Sequence, residues 1–590
     1  MRISLFYNAM NGSRMRIVSG VVSFCGILLS SLGLALAQAT PQTPAPLPRF
    51  EDIAKSAGLT VSHISSVDKR YIVESMSGGA GFIDCDNDGK LDILLANGST
   101  VDRYRKTGGD PMITLYHQDA DLKFSDITQS AGLTHKGWAM GIAVADYDND
   151  GLPDIYVTGY GGNVLYRNLG NCKFEDVTEK AGLSGGGFST GAAWGDYDRD
   201  GHVDLFVSRY VHVDMDKLPE LGSNEKFCRY KGLLVQCGPW GMVGESDLLF
   251  HNRGDGTFED VSKKAGVDDP NHYYGLGAMW GDYDNDGWPD LYVANDAGPN
   301  YLYRNKHDGT FEETGLVQGA DLSGEGQEQG SMGVDFGDYN NDGHLNIIVT
   351  NFVDQSDTLY RNQGAQGFAD ASWNAGIAQP TRPYVGWGTS FFDMDNDGWL
   401  DLLVVNGHVY PQVDTISGEA RFAQPMLSFR NRHNGTFEEV SARVGLAALP
   451  LESRRGAAFG DVNNDGCIDV LILNVGAPPS LLLNHCDPAN HRALFKLVGT
   501  KSNRLAIGAR VTIKTAKLTQ MREVRSGSSY LSQSDLRLHF GLGTEDKMSE
   551  VQIRWPNGQT ETLKDIAADF VYTVQEGSGI QQKTPFSPIR

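Results

Sequence analysis

The chain has 590 residues, 40% of them apolar, and this length predicts more than one domain with room for substantial hydrophobic cores. Its 71 glycines and 23 tyrosines favour many turns and short strands over long helices. The formal net charge of −24 argues against proteins that bind nucleic acid or anionic membrane surfaces through positive charge.

The first predicted element is a secretory signal peptide over residues 1–39. Two arginines precede an apolar stretch that ends in the small-residue sequence A-Q-A at residues 37–39, which is typical of a cleavage site. A membrane anchor is the alternative, since residues 17–37 approach spanning length, but the glycines and serines in the stretch favour cleavage. We therefore expect a secreted mature chain (periplasmic, extracellular or at the cell surface) that is not inserted in a membrane, with a proline-rich linker over residues 40–48.

A nine-residue pattern, D-x-D-x-D-G-x-x-D or a near variant, dominates the sequence that follows. Its seven copies begin at Asp84, Asp146, Asp196, Asp282, Asp338, Asp393 and Asp461. Each copy follows a first predicted strand of small and aromatic residues and precedes a second strand rich in β-branched residues. A third strand of the type L-Y-R-N comes next. A tight turn then leads to a fourth strand that opens with phenylalanine. Seven such units predict an all-β fold, a seven-bladed β-propeller over residues 49–487.

The two ends of the array predict how the ring closes. A strand of the type F-x-D-V-T-x-x-A-G-L follows the third strand of the first six units but is missing after the last one, at residues 481–484. A copy of it, FEDIAKSAGL, stands instead at Phe50, before the first unit. We expect this N-terminal strand to complete the seventh blade, because closure hides the sheet edges that an open stack, the alternative, would expose.

The seven acidic loops have the composition of calcium sites. Side chains at positions 1, 3, 5 and 9 and the carbonyl of position 7 supply oxygen ligands, and glycine at position 6 permits the turn. An EF-hand is rejected because position 12 of the fourth copy falls in a predicted strand. The alternative is a set of turns that bind no metal. The seven short loops contain 25 carboxylates, which would repel one another without a cation, and this argues against metal-free turns. We predict up to seven structural Ca²⁺ ions. The predicted ligands are Asp84, Asp86, Asp88, Lys90, Asp92, Asp146, Asp148, Asp150, Leu152, Asp154, Asp196, Asp198, Asp200, His202, Asp204, Asp282, Asp284, Asp286, Trp288, Asp290, Asp338, Asn340, Asp342, His344, Asn346, Asp393, Asp395, Asp397, Trp399, Asp401, Asp461, Asn463, Asp465, Cys467 and Asp469.

Two of these loops carry less negative charge than the others. The fifth has amides at Asn340 and Asn346, and the seventh has one at Asn463. Amide oxygens can coordinate calcium but bring no charge, so the fifth loop is predicted to bind its ion most weakly.

Six cysteines follow the signal peptide, and an even number in an exported chain predicts disulfides, with reduced thiols as the alternative. Two pairs are close in sequence, and a third follows by elimination. The predicted pairs are Cys228–Cys237, Cys467–Cys486 and Cys85–Cys172.

The C-terminal region predicts a second unit. Short alternating runs over residues 490–577 indicate an independent, small, sandwich-like β domain. Residues 578–590 are expected to form a flexible tail.

The loops opposite the acidic loops are the predicted ligand face. Three of them are long, at residues 98–111, 211–245 and 407–425, and their aromatic residues, amides and histidines suit recognition of an extracellular protein or glycan. The predicted ligand-binding residues are Arg209, Tyr210, Asn295, Asp296, Asn351, Asn406 and His408. A calcium-dependent polysaccharide lyase or hydrolase is the alternative, in which His408 or Asp296 could act on a sugar. No catalytic motif supports it, and we assign no catalytic residue.

The loop-and-blade pattern from Phe50 to about Asn484 closely resembles the FG-GAP/VCBS repeats of integrin α-chain propellers. The segments IGAR (507–510), VRSGSSYLSQS (524–534), HFGLG (539–543) and VQIRWPNG (551–558) resemble the ASPIC/UnbV domain. Together with CRYKGLLVQCGPWG from Cys228 and NGHVYP from Asn406, this order of domains is similar to the cartilage acidic protein family and its bacterial relatives. The resemblance implies an extracellular seven-bladed ring with calcium on one face and ligand binding on the other.

Overall fold

The computed structural model describes residues 47–219, 227–416 and 421–589. The predicted signal peptide and nearly all of the predicted linker lie outside these residues. In the described part strands dominate and the longest helix, Val101–Thr107, has seven residues, so the all-β prediction is confirmed.

Short strands make up the propeller. In chain order they are β1 (Arg49–Asp52), β2 (Ala80–Ile83), β3 (Asp92–Ala96), β4 (Asp110–Pro111), β5 (Ile113–Ala120), β6 (Lys123–Asp126), β7 (Lys136–Ala145), β8 (Asp154–Tyr160), β9 (Val164–Asn168), β10 (Phe174–Asp176), β11 (Ser189–Gly195), β12 (Asp204–Arg209), β13 (Cys228–Tyr230), β14 (Leu233–Val235), β15 (Leu248–Asn252), β16 (Phe258–Asp260), β17 (Gly275–Gly281), β18 (Asp290–Gly298), β19 (Tyr301–Asn305), β20 (Phe311–Glu313), β21 (Gln329–Gly330), β22 (Val334–Gly337), β23 (Asn346–Val349), β24 (Thr358–Asn362), β25 (Phe368–Asp370), β26 (Gly386–Phe392), β27 (Asp401–Asn406), β28 (Leu427–Asn431), β29 (Phe437–Glu439), β30 (Arg454–Gly460), β31 (Asp469–Asn474) and β32 (Ser480–His485).

The helices in the described residues are short. The α-helices are α1 (Ala54–Ala57), α2 (Val73–Met76), α3 (Val101–Thr107), α4 (Thr128–Ala131), α5 (Thr178–Ala181), α6 (Ser262–Ala265), α7 (Gly315–Gln318) and α8 (Ala378–Thr381). The 3₁₀ turns are Met215–Lys217, Gly364–Gln366, Pro411–Thr415 and Leu446–Ala448.

Seven antiparallel sheets, which we call blades, are present in the described residues. Each has four main strands, and the short strands β4 and β21 add a fifth strand to the second and fourth blades. From inner to outer strand the blades are β2-β3-β5-β6, β7-β8-β9-β10, β11-β12-β15-β16, β17-β18-β19-β20, β22-β23-β24-β25, β26-β27-β28-β29 and β30-β31-β32-β1. The outer strand opens with a buried phenylalanine, as in β10, where Phe174 is buried and Glu175 and Asp176 are exposed. The blades therefore follow from the repeat as predicted.

The ring closes through the N-terminal strand. β1 pairs antiparallel with β32, and Phe50, opposite Asn484, is 2% exposed. The inner strands contact one another in the cyclic order β2, β7, β11, β17, β22, β26, β30 and back to β2. Glycine permits their close approach, because a Cβ on Gly333 would lie only 2.1 Å from the carbonyl oxygen of Trp387.

The C-terminal region is a sandwich of two four-stranded sheets. Its strands are β33 (His491–Val498), β34 (Arg510–Lys514), β35 (Thr519–Glu523), β36 (Leu538–Gly543), β37 (Lys547–Arg554), β38 (Thr560–Ala567), β39 (Phe570–Gln575) and β40 (Gly579–Pro585), in the orders β36-β33-β39-β40 and β35-β34-β37-β38. The expected flexible tail is wrong for its first part, because β40 pairs antiparallel with β39.

The prediction of an independent C-terminal domain is also wrong. One hydrophobic core joins sandwich residues such as Phe495 and Trp555 to propeller residues such as Trp194 and Phe258. In addition, the segment 526–534, which we call the plug, enters the centre of the ring. Its backbone bonds to inner strands, for example Ser529 N–H to the Val334 carbonyl at 3.0 Å and Ile142 N–H to the Leu531 carbonyl at 3.0 Å.

The opposite end of the ring is covered by a cap, which we define as the described residues of 60–79, 97–111, 211–245 and 407–425. Helix α2 lies in it, and the Met76 carbonyl accepts a hydrogen bond from the Tyr530 hydroxyl of the plug at 2.8 Å. Cap and plug therefore meet inside the ring, and the centre of the propeller is filled by side chains.

Candidate metal centre

The seven metal loops (84–92, 146–154, 196–204, 282–290, 338–346, 393–401 and 461–469, loops 1 to 7) join the first and second strands of their blades. They share one backbone conformation. The glycine N–H at position 6 donates to the aspartate at position 1, as from Gly398 to Asp393 at 2.8 Å. The N–H of position 7 donates to the aspartate at position 5, as from Trp399 to Asp397 at 2.9 Å.

The aspartate at position 9 forms hydrogen bonds to the backbone that the sequence did not predict. In loop 4, Asp290 accepts from the Tyr283 N–H at 3.2 Å and from the Asn305 N–H at 2.8 Å, so both of its oxygens bond to backbone. Loops 1, 2, 3, 6 and 7 repeat this pair of bonds. Position 9 therefore ties the loop to the third strand, whatever it contributes to an ion.

Five of the seven loops contain a buried carboxylate oxygen without a hydrogen-bond partner. These atoms are Oδ1 of Asp84, Asp148, Asp196, Asp198, Asp282 and Asp395. Unpartnered buried anionic oxygens are costly, and a divalent cation among them would remove that cost. Within loop 1, Asp84, Asp86 and Asp88 offer ligand atoms within 4.8 Å of one another. The donor set of loops 1, 2, 3, 4 and 6 therefore fits a hard cation.

In loops 5 and 7 none of the carboxylate oxygens is buried without a partner, and side-chain amides bond inside the loop. In loop 5, Asn340 Nδ2 donates to Asp342 at 2.6 Å, and Asn346 Nδ2 donates to the Gly337 carbonyl at 2.9 Å and to Asn340 Oδ1 at 3.2 Å. In loop 7, Asn463 Nδ2 donates to Asp465 at 2.9 Å. Amide hydrogens therefore bond to oxygen atoms of loops 5 and 7 that a cation would need as ligands, and the weak fifth site stays a prediction.

Burial among like charges raises the pKa of the loop carboxyls. Burial, reinforced by Asp204, Asp200 and Asp198, raises the pKa of Asp196 to about 8. Burial raises the pKa of Asp146 to about 7. A bound cation would favour the ionised carboxylates and lower these pKa values.

A cationic side chain that we did not predict from the sequence lies above several loops; it is the third residue of the L-Y-R-N strand. Arg167 Nε lies 2.6 Å from Asp148, and Arg304 Nε lies 2.9 Å from Asp284. In the third blade the residue is His251, and its hydrogen bond to Asp204 raises its pKa to about 9. A basic residue recurs at this one position of the repeat, and that recurrence could have revealed the contact from the sequence.

Two rings of amide hydrogen bonds, also missed, link neighbouring loops. In the first, the asparagine at position 4 donates to the position-6 glycine carbonyl of the next loop in six of the seven loops; loop 3 has Arg199 at position 4, so this ring is open between loops 3 and 4. The pairs are Asn87–Gly151, Asn149–Gly201, Asn285–Gly343, Asn341–Gly398, Asn396–Gly466 and Asn464–Gly89. In the second, the asparagine that ends L-Y-R-N bridges two loops, as Asn305 Nδ2 does with the carbonyls of Tyr197 at 2.8 Å and Pro289 at 3.1 Å. The loops are thus connected around the whole ring.

The C-terminal sandwich sits on this ring of loops. Arg510 donates to the Asp282 carbonyl at 2.6 Å, and Arg537 donates to the Asp461 carbonyl at 2.9 Å. Lys496 Nζ lies 3.4 Å from Asp84. These contacts place positive side chains against the acidic face, so the loop face is an internal interface.

The predicted ligand-binding residues are mostly interior. Tyr210, Asn295, Asn351, Asn406 and His408 are buried, and Arg209 and Asp296 are half-buried. The asparagines hold turns, as Asn406 does by donating to the Pro425 carbonyl at 2.8 Å and Asn351 by donating to the Ser356 carbonyl at 2.8 Å. Arg209 pairs with Glu245.

His408 and Asp296 are not exposed as a catalytic pair. Burial lowers the pKa of His408 to about 3, and its ring packs against Tyr230, Phe352 and Tyr410. The Tyr210 hydroxyl donates to Asp296 at 2.5 Å. The inserted loops cover these side chains. Their positions in the sequence, in or just after the second strands of their blades, did not reveal this burial.

Comparison with known families agrees with the fold and loops. The model of the FG-GAP-like repeat matches residues 84–157, 146–207, 240–293, 282–349 and 338–404. The model of ASPIC and UnbV matches residues 499–581. The chain is therefore an FG-GAP-repeat β-propeller protein with a C-terminal ASPIC and UnbV domain.

Among characterised proteins, the chain is similar to cartilage acidic protein 1. It is 29% identical to the Homo sapiens protein over 53% of this chain and 45% of the relative, and 28% identical to the Mus musculus protein over 56% and 48%. The chain thus spans about half the length of the curated relatives it matches.

Solved structures with a similar fold include YCF48 bound to D1 peptide, with a TM-score of 0.39 and 9% identity over 75% of this chain and 99% of that one. Another is an Agrocybe aegerita lectin that recognises non-reducing terminal N-acetylglucosamine, with a TM-score of 0.37 and 16% identity over 62% and 79%. TM-scores this low support no functional conclusion.

The disulfides indicate an oxidising compartment. All three predicted pairs are present: Cys85–Cys172, Cys228–Cys237 and Cys467–Cys486. Such bonds persist in exported proteins and are rare in reducing compartments. None of the helices in the described residues has the length and apolar character needed to cross a membrane.

Proposed function

We propose that this chain is a secreted recognition module, a propeller stabilised by Ca²⁺ that binds an extracellular protein or glycan through its cap. The observation that carries the calcium part is the set of buried, unpartnered carboxylate oxygens in five loops. All-oxygen donor sets suit Ca²⁺, and cages made only of protein groups indicate a structural ion.

The exposed surface of the cap supports the recognition part. Val67, Leu234, Trp240 and Val243 are large apolar residues of the cap that face solvent, and Trp240 is 67% exposed. Exposed aromatic side chains such as that of Trp240 are typical of interaction sites. Contact through these residues replaces contact through Tyr210 and His408, which are buried.

Trp240→Ala tests this function against a matched control, Trp373→Ala. Trp373 is also exposed, at 54%, but follows β25 outside the cap. We expect binding of the wild type to a glycan array or to extracellular-matrix proteins, a loss of about tenfold or more in Trp240→Ala, and no loss in the control. Equal binding by both variants would contradict the proposal, and release of reducing sugar from a bound glycan would replace it with the enzyme alternative.

A further inference from the structure

The metal loops differ in the side chain that lies over them. In loops 2, 4 and 6 this is the arginine of L-Y-R-N, with Arg430 Nη2 2.7 Å from Asp395 in loop 6. In loop 3 it is His251. Its Nδ1 hydrogen-bonds to Asp204 at 3.1 Å and lies 3.4 Å from Asp198, so a metal ion bound at Nδ1 would replace the proton of that bond. Guanidinium has no lone pair for a metal, whereas imidazole has one.

Loop 3 combines this nitrogen with a place for an ion. Asp198, Asp200 and His251 offer ligand atoms that lie within 4.8 Å of one another. Asp196, only 3% exposed, has an Oδ1 without a partner. The His251 ring is held edge-on to Tyr197, with centroids 6.1 Å apart. The site is thus a mixed nitrogen and oxygen donor set.

We propose that loop 3 together with His251 binds a first-row transition-metal ion, with Zn²⁺ as the probe, in preference to Ca²⁺. Imidazole and carboxylate together suit such ions, whereas Ca²⁺ takes oxygen ligands. This inference rests on the proposed metal-binding role of the loops and assigns one of them a different ion.

The other histidine at this place in the repeat offers a weaker site. His117 Nε2 lies 3.4 Å from Asp86, but its Nδ1 bonds to Asp119 at 2.9 Å, outside loop 1. Cys172, which lies nearby, is in a disulfide with Cys85 and supplies no thiolate. His117→Arg is therefore a matched control for His251→Arg, since both introduce the residue that other blades already have.

The test is calorimetric titration of the Ca²⁺-saturated full chain with Zn²⁺. We expect one tight Zn²⁺ event in the wild type and in His117→Arg. In His251→Arg we expect it to weaken by about 100-fold or more, because a lost ligand costs at least as much as a lost outer-shell partner. Arg167→His should add a Zn²⁺ event in loop 2, which keeps the test valid if His251→Arg folds poorly.

The outcomes separate this inference from the proposed function. If Ca²⁺ raises the melting temperature of the wild type but Zn²⁺ binding is absent or unchanged in His251→Arg, the inference is overturned and the calcium-dependent propeller stands. If Ca²⁺ fails to raise that melting temperature, the proposed function fails, whatever Zn²⁺ does.

Discussion

The side chains of the metal loops have two roles in our proposal. Some form hydrogen bonds that fix the loop conformation, and others have free oxygen atoms that could bind an ion. Asp395 in loop 6 has an unpartnered Oδ1, whereas Asn340 and Asn346 in loop 5 bond to the atoms around them. If the free carboxylates hold ions as proposed, the same backbone serves either an ion or an amide cross-link, and two substitutions should convert one into the other.

The conversion is testable by counting ions. Asn340→Asp combined with Asn346→Asp restores four carboxylates to loop 5 and removes the amide donors, so the chain should bind one more Ca²⁺ than the wild type. Asp395→Asn should bind one fewer. Atomic emission of dialysed protein measures both, and unchanged counts in both variants would refute the division of roles.

The second asparagine ring predicts a stability effect away from any ion. Asn305→Ala leaves the buried Tyr197 and Pro289 carbonyls without their donor, which should lower the free energy of unfolding by about 2–4 kcal/mol. Gln327→Ala, an exposed amide, is the control. Denaturant unfolding measures both, and similar midpoints for the two variants would contradict a locking role.

At the scale of elements, β1 and the plug hold together parts of the chain that are distant in sequence. The position of β1 was predictable, because an orphan copy of the repeat strand stands at one end and its counterpart is missing at the other. Deleting residues 49–52 should lower the melting temperature by more than 10 °C, since it exposes β32 and the pocket of Phe50. A melt within 2 °C of the wild type would mean that closure is unimportant.

The plug predicts a comparable loss from one side chain. Tyr530 is fully buried, its ring centroid lies 4.7 Å from that of Trp387, and its hydroxyl bonds to Met76. Tyr530→Ala should lower the free energy of unfolding by about 3–5 kcal/mol and increase hydrogen exchange in β22 and β26. Exchange that rises only within the sandwich would show that the plug does not brace the ring.

At the scale of the whole molecule, the repeat determined what could be predicted. The blades, the closure, the disulfides and the acidic loops follow from local patterns and their spacing. The docking of the sandwich does not, because Arg510 and Asp282 meet across more than two hundred residues and no repeat encodes that contact. The burial of His408 could not be predicted either, because the loops that cover it are insertions that do not repeat from blade to blade.

The acidic face also predicts how stability depends on pH. Loop carboxyls such as Asp146 and Asp196 have pKa values of about 7 and 8 in the fold, above their value near 4 in an unfolded chain. The folded metal-free chain then binds more protons than the unfolded chain between about pH 4 and pH 8, so its stability falls as pH rises through that window. In EDTA the melting temperature should be lower at pH 8 than at pH 5.5, and Ca²⁺ should abolish the difference. A higher value at pH 8 in EDTA would contradict the cited shifts.

The most direct test of the account is calorimetric titration of the chelator-treated chain with Ca²⁺, followed by a thermal scan. With Zn²⁺ absent, we predict about five bound ions, one for each loop with an unpartnered buried carboxylate, and a melting temperature at least 10 °C above that in EDTA. No heat of binding together with an unchanged melting temperature would contradict the metal-stabilised propeller.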